Sequence, residues 1–209
     1  MTRDAHNDMP LPQVCIVDDD DGVRHSLAAL LLAGGHSAQL FASGAGFLHQ
    51  ADLQHPGCVL LDLRMDGMSG LQVFEEMRQR HSALKVVFLS AHGELSSAVA
   101  AVKQGAVDWL EKPCNEHTLL AAVARATELS LAEAARARQQ QMLRERWSAL
   151  SPRQQEVART LGLRDPGRPI DPRTVDTHRS AIFLKLDIRS SHELGMLVED
   201  LGASAQITR

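Results

Sequence analysis

The sequence predicts an α/β chain: a doubly wound, five-stranded parallel sheet, then a long helix and a second, smaller all-α domain. Three observations lead there. From Gln13 to about Arg125, short apolar runs alternate with helix-period segments, the pattern of buried parallel strands and the helices that cover them. An Ala-, Glu-, Arg- and Gln-rich stretch without Gly or Pro follows, and past Leu150 the pattern changes to short segments with explicit caps. The 209 residues also exceed the ~100 to 200 of one typical domain, so two units are expected.

Val14 to Val17 reads as the first strand and Val23 to Ala33 as the first helix, closed by Gly34-Gly35. A shorter strand lies near Ala38 to Phe41, and Cys58 to Leu61 is a third. Gly70 to Arg80 carries Leu71, Val73, Phe74 and Met77 at helical spacing. Val86 to Leu89, a helix over Leu95 to Lys103 ending near Gly105, and the strand Val107 to Leu110 complete the sheet. From about Asn115 a helical pattern continues through ATELSLAEAARARQQQMLRERW, a last domain helix extended into a connector. Ser151-Pro152-Arg153-Gln154 supplies a cap hydroxyl, a Pro at the first helical position and a Gln able to reach back, so a helix should run to about Leu161. Asp171-Pro172 repeats the device before a helix over Arg173 to Leu186, and an amphipathic third helix covers Ser191 to Leu201.

The composition, 44% apolar and 23% charged, excludes a wholly disordered or collagen-like chain. The longest apolar run, Leu27 to Ala33, falls well short of the ~20 residues a spanning helix needs, and MTRDAHNDMPLPQ has no signal-type apolar region. A soluble, cytoplasmic protein without membrane partners is expected. Cys15, Cys58 and Cys114 have neither metal-type spacing nor the pairing of a disulfide scaffold. Residues 1–142 hold eleven Lys and Arg against seventeen Asp and Glu, whereas 143–190 hold ten against six. The C-terminal part is thus the one able to face a polyanion.

In an open parallel sheet, chemistry gathers beyond the carboxyl ends of the strands, where strand order reverses. Asp18-Asp19-Asp20-Asp21 follow the first strand here, Asp62 the third, Ser90 the fourth, and Lys112-Pro113 the fifth. Carboxylates and a lysine arriving from separate segments suit a hard divalent cation and a phosphoryl group. Any one of these acids could equally be a helix N-cap.

VCIVDDDDGVRHSL, VLLDLRMDGMSG, VVFLSAHG and GAVDWLEKP together resemble the four signatures of the receiver domain of bacterial two-component response regulators, a flavodoxin-like fold. The resemblance covers roughly residues 12–127. It implies that Asp62 is the phospho-acceptor and that Asp18, Asp19, Asp62 and the backbone carbonyl of Arg64 hold Mg2+. Lys112 then pairs with the phosphoryl group, and Ser90 is the hydroxyl that moves toward it. Trp109, three residues before that lysine, takes the aromatic switch position; its alternative is an aromatic packed at the sheet edge. Two residues depart from the family: Asp66 stands where it usually has Pro, and Trp109 where it has Phe or Tyr.

LSPRQQEV and PRTVDTHRSAIFLKLDIRSSHEL resemble the helix-turn-helix domain of the FixJ/NarL/LuxR group over about 150–201, with 128–149 as helical linker. The resemblance places Asp176, Thr177 and Ser180 toward bases, near Thr174 at the helix start, with Arg173, Arg179 and Lys185 available to phosphates. The cations could instead merely solvate a small bundle. Where the family has a scaffold helix, this chain has GLRDPGRPID, shorter by about six residues near 162–171 and, with its Pro and Gly, unable to form a regular helix.

The implied function is a phosphorylation-activated response regulator controlling transcription, with a sensor histidine kinase and promoter DNA as partners and phosphorylation-dependent homodimerisation. Catalysis is limited to self-catalysed phosphotransfer and dephosphorylation. One alternative keeps the receiver but makes the output a protein-interaction module or the chain a phosphate sink. A remote one takes Asp18 as nucleophile and Asp20 as general acid of a phosphohydrolase. An EF-hand reading fails because Ala29 stands where its terminal Glu belongs.

Overall fold

The computed structural model describes residues 11–90, 102–163 and 172–207. Through Ala135 the chain forms one compact unit and from Arg136 a second. In the first unit the order is β1 (Gln13–Val17), α1 (Asp21–Ala33), β2 (Ala38–Phe41), α2 (Gly44–Gln50), β3 (Gly57–Asp62), α3 (Gly70–Gln79), β4 (Leu84–Ser90) and β5 (Asp108–Glu111). The long helix α4 (Glu116–Ser148) begins there and ends in the second unit, which adds α5 (Pro152–Leu163), α6 (Pro172–Leu186) and α7 (Ser191–Ile207). Most of the helix expected over Leu95 to Lys103 lies outside the described residues; Val102 and Lys103 are helical, and the chain turns at Gly105. Helix α2 is absent from the sequence reading, because seven residues give too little periodicity, although Ser43 caps it by accepting from the Gly46 N–H at 3.2 Å.

All five strands are parallel, in the order β2-β1-β3-β4-β5. Strand order therefore reverses at β1/β3, the seam that ends in Asp18 on one side and Asp62 on the other. Successive residues of each central strand serve opposite cores. Cys15, Val17, Val59, Leu61, Val86 and Phe88 pack with Phe47, Val73, Phe74 and Met77 of α2 and α3. Val14, Ile16, Cys58, Leu60, Val87 and Leu89 face Leu27 and Leu31 of α1 and Leu119, Ala122 and Val123 of α4. That two-sided burial is why these strands read as continuous apolar runs. Ser130 fastens α4 to the sheet end, accepting from the Gly57 N–H at 2.8 Å and donating to the Ala83 carbonyl at 2.6 Å.

In the second unit Leu150, Val157, Ala158, Ile182, Leu186, Leu194, Leu197 and Val198 form a core, with Leu143 and Trp147 packed against it. The Ser151/Gln154 capping box is present: the Gln154 N–H donates to Ser151 Oγ at 3.3 Å and the Ser151 N–H to Gln154 Oε1 at 3.0 Å. Helix α7 runs past the expected Leu201. Residues 164–171, most of the shortened stretch, lie outside the described residues. Among the described residues no helix is long and apolar enough to cross a membrane.

Burial pushes the Cys15 thiol up to about 12 and the Cys58 thiol up further, whereas Cys114 is only half-buried. Iodoacetamide at pH 8 is expected to label Cys114 while Cys15 and Cys58 stay unmodified until denaturant is added. Peptide mapping by mass spectrometry that finds Cys58 alkylated first would contradict this packing.

Candidate functional site

The site is assembled by strands that end level. Leu61 of β3 lies beside Val17 of β1 and Phe88 of β4, and Ser90 of β4 beside Glu111 of β5. The next residues of β1 and β5, Asp18 and Lys112, therefore emerge at the same edge as Asp62 and Ser90. Asp18 and Asp62 are buried, 1% and 6% exposed, while Asp19 opens to solvent. One carboxylate oxygen from each of the three lies within 4.8 Å of the others.

Each carboxylate has a distinct anchor. Lys112 Nζ donates to Asp18 Oδ2 at 2.6 Å and also to Asp62 Oδ1. Asp18 Oδ1 accepts from the Asp20 N–H at 2.9 Å, and the Arg64 backbone N–H bonds to Asp62. Asp19 Oδ2 accepts from the Asp66 N–H at 2.8 Å. Arg24, buried on α1, donates to the Asp18 carbonyl at 2.7 Å and to the Asp21 carboxylate at 2.6 Å. Sequence reasoning missed this residue, although the Asp21/Arg24 spacing marks a helical ion pair. Beneath Asp62 the helix α3 begins at Gly70, where a Cβ would stand 2.2 Å from the Asp62 carbonyl oxygen, so only glycine fits.

Burial raises the Asp62 carboxyl above its ordinary range, against the hydrogen bond and charge of Lys112, and the nearby Asp18 charge raises it further. For Lys112, burial pulls downward, but hydrogen bonds and charges from Asp18 and Asp62 outweigh it and hold the ammonium above the usual lysine value. One cation serves two carboxylates: Lys112 gains from both, whereas Asp62 shares its counterion. Three carboxylates facing one ammonium leave an excess of negative charge. Their hard oxygens, on two buried carboxylates and one open to water, fit a divalent cation that keeps part of its hydration.

The expected roles of the four-Asp run separate here. Asp20 caps α1, its Oδ1 accepting from the Val23 N–H at 2.9 Å, and Asp21 pairs with Arg24. Asp20 thus serves as a helix cap, the ordinary alternative for such an acid. Ser90 is buried and accepts a hydrogen bond from the Trp109 indole N–H at 2.6 Å. The Trp109 ring packs 5.2 Å from Phe88, tilted by 36°. It is thus both a packed edge aromatic and a direct partner of Ser90.

On α6, the side chains of Arg173, Thr174 and Asp176 lie outside the described residues, while Thr177, Arg179 and Ser180 are exposed. Arg179 sits 5.3 Å over the Phe183 ring. Lys185 donates at 3.0 Å to both the Ala149 carbonyl and Gln154 Oε1, tying α6 to the cap of α5.

The family model of the response regulator receiver domain matches residues 14–124. The chain is similar to the response regulator protein TodT of Pseudomonas putida, 32% identical over 92% of this chain and 88% of that protein. It is 34% identical to the transcriptional regulatory protein FixJ of Azorhizobium caulinodans over 87% of this chain and 89% of that protein. The solved structure of the response regulator StyR superposes with a TM-score of 0.83 at 34% identity, covering 91% of this chain and all of that one.

Ser90→Ala removes the oxygen that accepts the indole N–H. In a Trp147→Phe background, which leaves Trp109 as the one tryptophan, the emission maximum is expected to shift and the ring to become more accessible to acrylamide. An identical spectrum and quenching constant would show that the bond does not hold the ring.

Proposed function

This chain belongs to the response regulators, as a protein with a receiver domain, and from that premise we propose that its Asp62 accepts a phosphoryl group from a sensor histidine kinase. The observation that carries the reading is the cluster of Asp18, Asp19 and Asp62 with the Lys112 ammonium on two of them. Asp18, Asp19, Asp62 and the Arg64 backbone carbonyl would hold Mg2+, which when bound offsets charge on the phosphoryl oxygens. The chain's own residues do the rest. The Asp62 carboxylate attacks phosphorus, forming a P–O bond as the P–N bond to the donor histidine breaks. Lys112 exchanges part of its pairing with Asp18 and Asp62 for the phosphoryl oxygens, and positioning plus electrostatics carry the transfer. Burial that raises the Asp62 carboxyl also strips water from its carboxylate, which favours attack over solvation.

Phosphorylation places new acceptor oxygens near Ser90. Its hydroxyl turns to donate to them, the bond from the Trp109 indole is released, and the ring changes environment. The domain division that fits this reading is a receiver over 12–127, a helical linker over 128–149 and an output domain over 150–201. The protein is a cytoplasmic regulator that dimerises when phosphorylated and acts on transcription through α6, where Arg173, Thr174, Asp176, Thr177, Arg179, Ser180 and Lys185 face promoter DNA. A second reading is favoured by the tethering of Lys185 and the seating of Arg179 on Phe183: an output domain that binds DNA weakly and acts through protein contacts, or a receiver that serves as a phosphate sink.

With Mg2+ and acetyl phosphate the protein is expected to gain one phosphoryl group by intact mass, whereas Asp62→Asn and Asp19→Ala gain essentially none. Equal incorporation in Asp62→Asn would defeat the assignment of the acceptor. The output readings part in a selection from random duplexes at near-physiological salt with the phosphorylated protein. The first reading expects enrichment of a preferred site, and the second expects weak, salt-sensitive binding without a sharp consensus. A defined palindromic site would show that the shortened domain reads sequence as an intact one does.

A further inference from the structure

We propose that residue 66 positions the cation site through its backbone: the Asp66 N–H holds the Asp19 carboxylate within the Asp18–Asp19–Asp62 cluster. This rests on the reading of that cluster as a Mg2+ site. Of the three carboxylates, Asp18 is fixed on both oxygens, by Lys112 and by the Asp20 N–H, and Asp62 by Lys112 and the Arg64 N–H. Asp19 is the exposed one. Among the described residues its carboxylate accepts one hydrogen bond, from the Asp66 N–H at 2.8 Å.

An exposed Asp side chain on a loop samples several rotamers, and binding a cation requires it to give that freedom up. A charge-assisted bond from a fixed amide selects the orientation beforehand and leaves the second oxygen, and spare lone pairs on the first, for a ligand. The donor is well placed for this. The buried side chain of Met65 anchors the loop immediately before Asp66, Gly67 turns it with φ of 81°, and Gly70 closes it against the Asp62 carbonyl. The Asp66 carboxylate is not a member of the cluster, so its charge acts only at longer range.

Residue type matters here in an unusual way. A proline, the residue usual at this position in the family, has no N–H and cannot make this bond. This chain therefore gains an anchor on Asp19 together with an additional negative charge. The two contributions separate by substitution: Asp66→Ala and Asp66→Asn remove the charge and keep the N–H, whereas Asp66→Pro removes both.

The test is a Mg2+ titration of the full-length protein, followed by calorimetry and by Trp109 emission in the Trp147→Phe background. Asp66→Ala and Asp66→Asn are expected to weaken binding modestly and alike, the loss shrinking as salt is raised. Asp66→Pro is expected to weaken it about three- to tenfold more than Asp66→Ala, a difference that persists at high salt. Equal affinities of the Pro and Ala variants, with wild type still binding, would overturn the positioning role alone. Absence of Mg2+ binding by the folded wild-type protein would overturn the metal reading and this proposal with it. A second measurement does not depend on the Pro variant folding: in amide NMR spectra of the metal-free protein, Asp19→Ala should move the Asp66 amide proton upfield and speed its exchange with solvent. An unmoved, equally protected Asp66 amide would overturn the proposal.

Discussion

A single ammonium group shared by two buried carboxylates is the interaction on which the rest of the site depends. Lys112 stands after β5 and reaches Asp18 after β1 and Asp62 at the end of β3, bridging three strands that are not consecutive in sequence. Without it, Asp18 and Asp62 would be two like charges held together at low exposure, an arrangement that costs several kcal/mol per unpaired ion, roughly, in a protein interior. The bridge is therefore a structural requirement of the unliganded molecule. Any cation or phosphoryl group that enters must take over part of the work Lys112 already does.

That dependence explains how the acidic run is apportioned. Four consecutive aspartates look interchangeable, yet backbone geometry sends each in its own direction. Asp18 turns inward to Lys112, Asp19 outward to the Asp66 amide, Asp20 onto the Val23 amide of α1 and Asp21 onto Arg24. Only the first two belong to the cluster with Asp62. Arg24, buried and bound to both the Asp18 carbonyl and Asp21, fixes the turn that produces this division.

The sheet and most helices were legible because their signals are local. Two-sided burial produced the apolar runs of β1, β3 and β4, and cap residues such as Ser151 marked helix starts that the structure realises. Grouping Asp18, Asp19, Asp62 and Lys112 was also possible, since all four follow strand ends and strand ends converge. The Trp109 bond to Ser90, the amide of Asp66 under Asp19, and the diversion of Lys185 to Ala149 and Gln154 were not legible. Each pairs atoms whose proximity is set by loop paths and side-chain reach, which residue type does not encode. The short α2 escaped for a different reason: seven residues are fewer than the periodicity of an amphipathic helix needs to declare itself.

The alternation of neighbouring strand residues between two apolar cores has a further implication for how the chain finds its alignment. In a sheet with one wet face, a slip of one residue exposes apolar side chains and is rejected at once. Here Leu60 and Leu61 both meet hydrocarbon, so hydrophobicity alone scarcely distinguishes the native pairing from a shifted one. The polar termini provide the distinction. Moving β3 by one residue into the layer would drag Asp62 away from Lys112 and into the apolar sandwich, and moving it outward would press Gly70 and the chain that follows it off the Asp62 carbonyl. The polar residues that close the strands thus act as end stops for the ruler, and replacing them for the sake of a more stable protein would loosen the alignment of the strands they terminate.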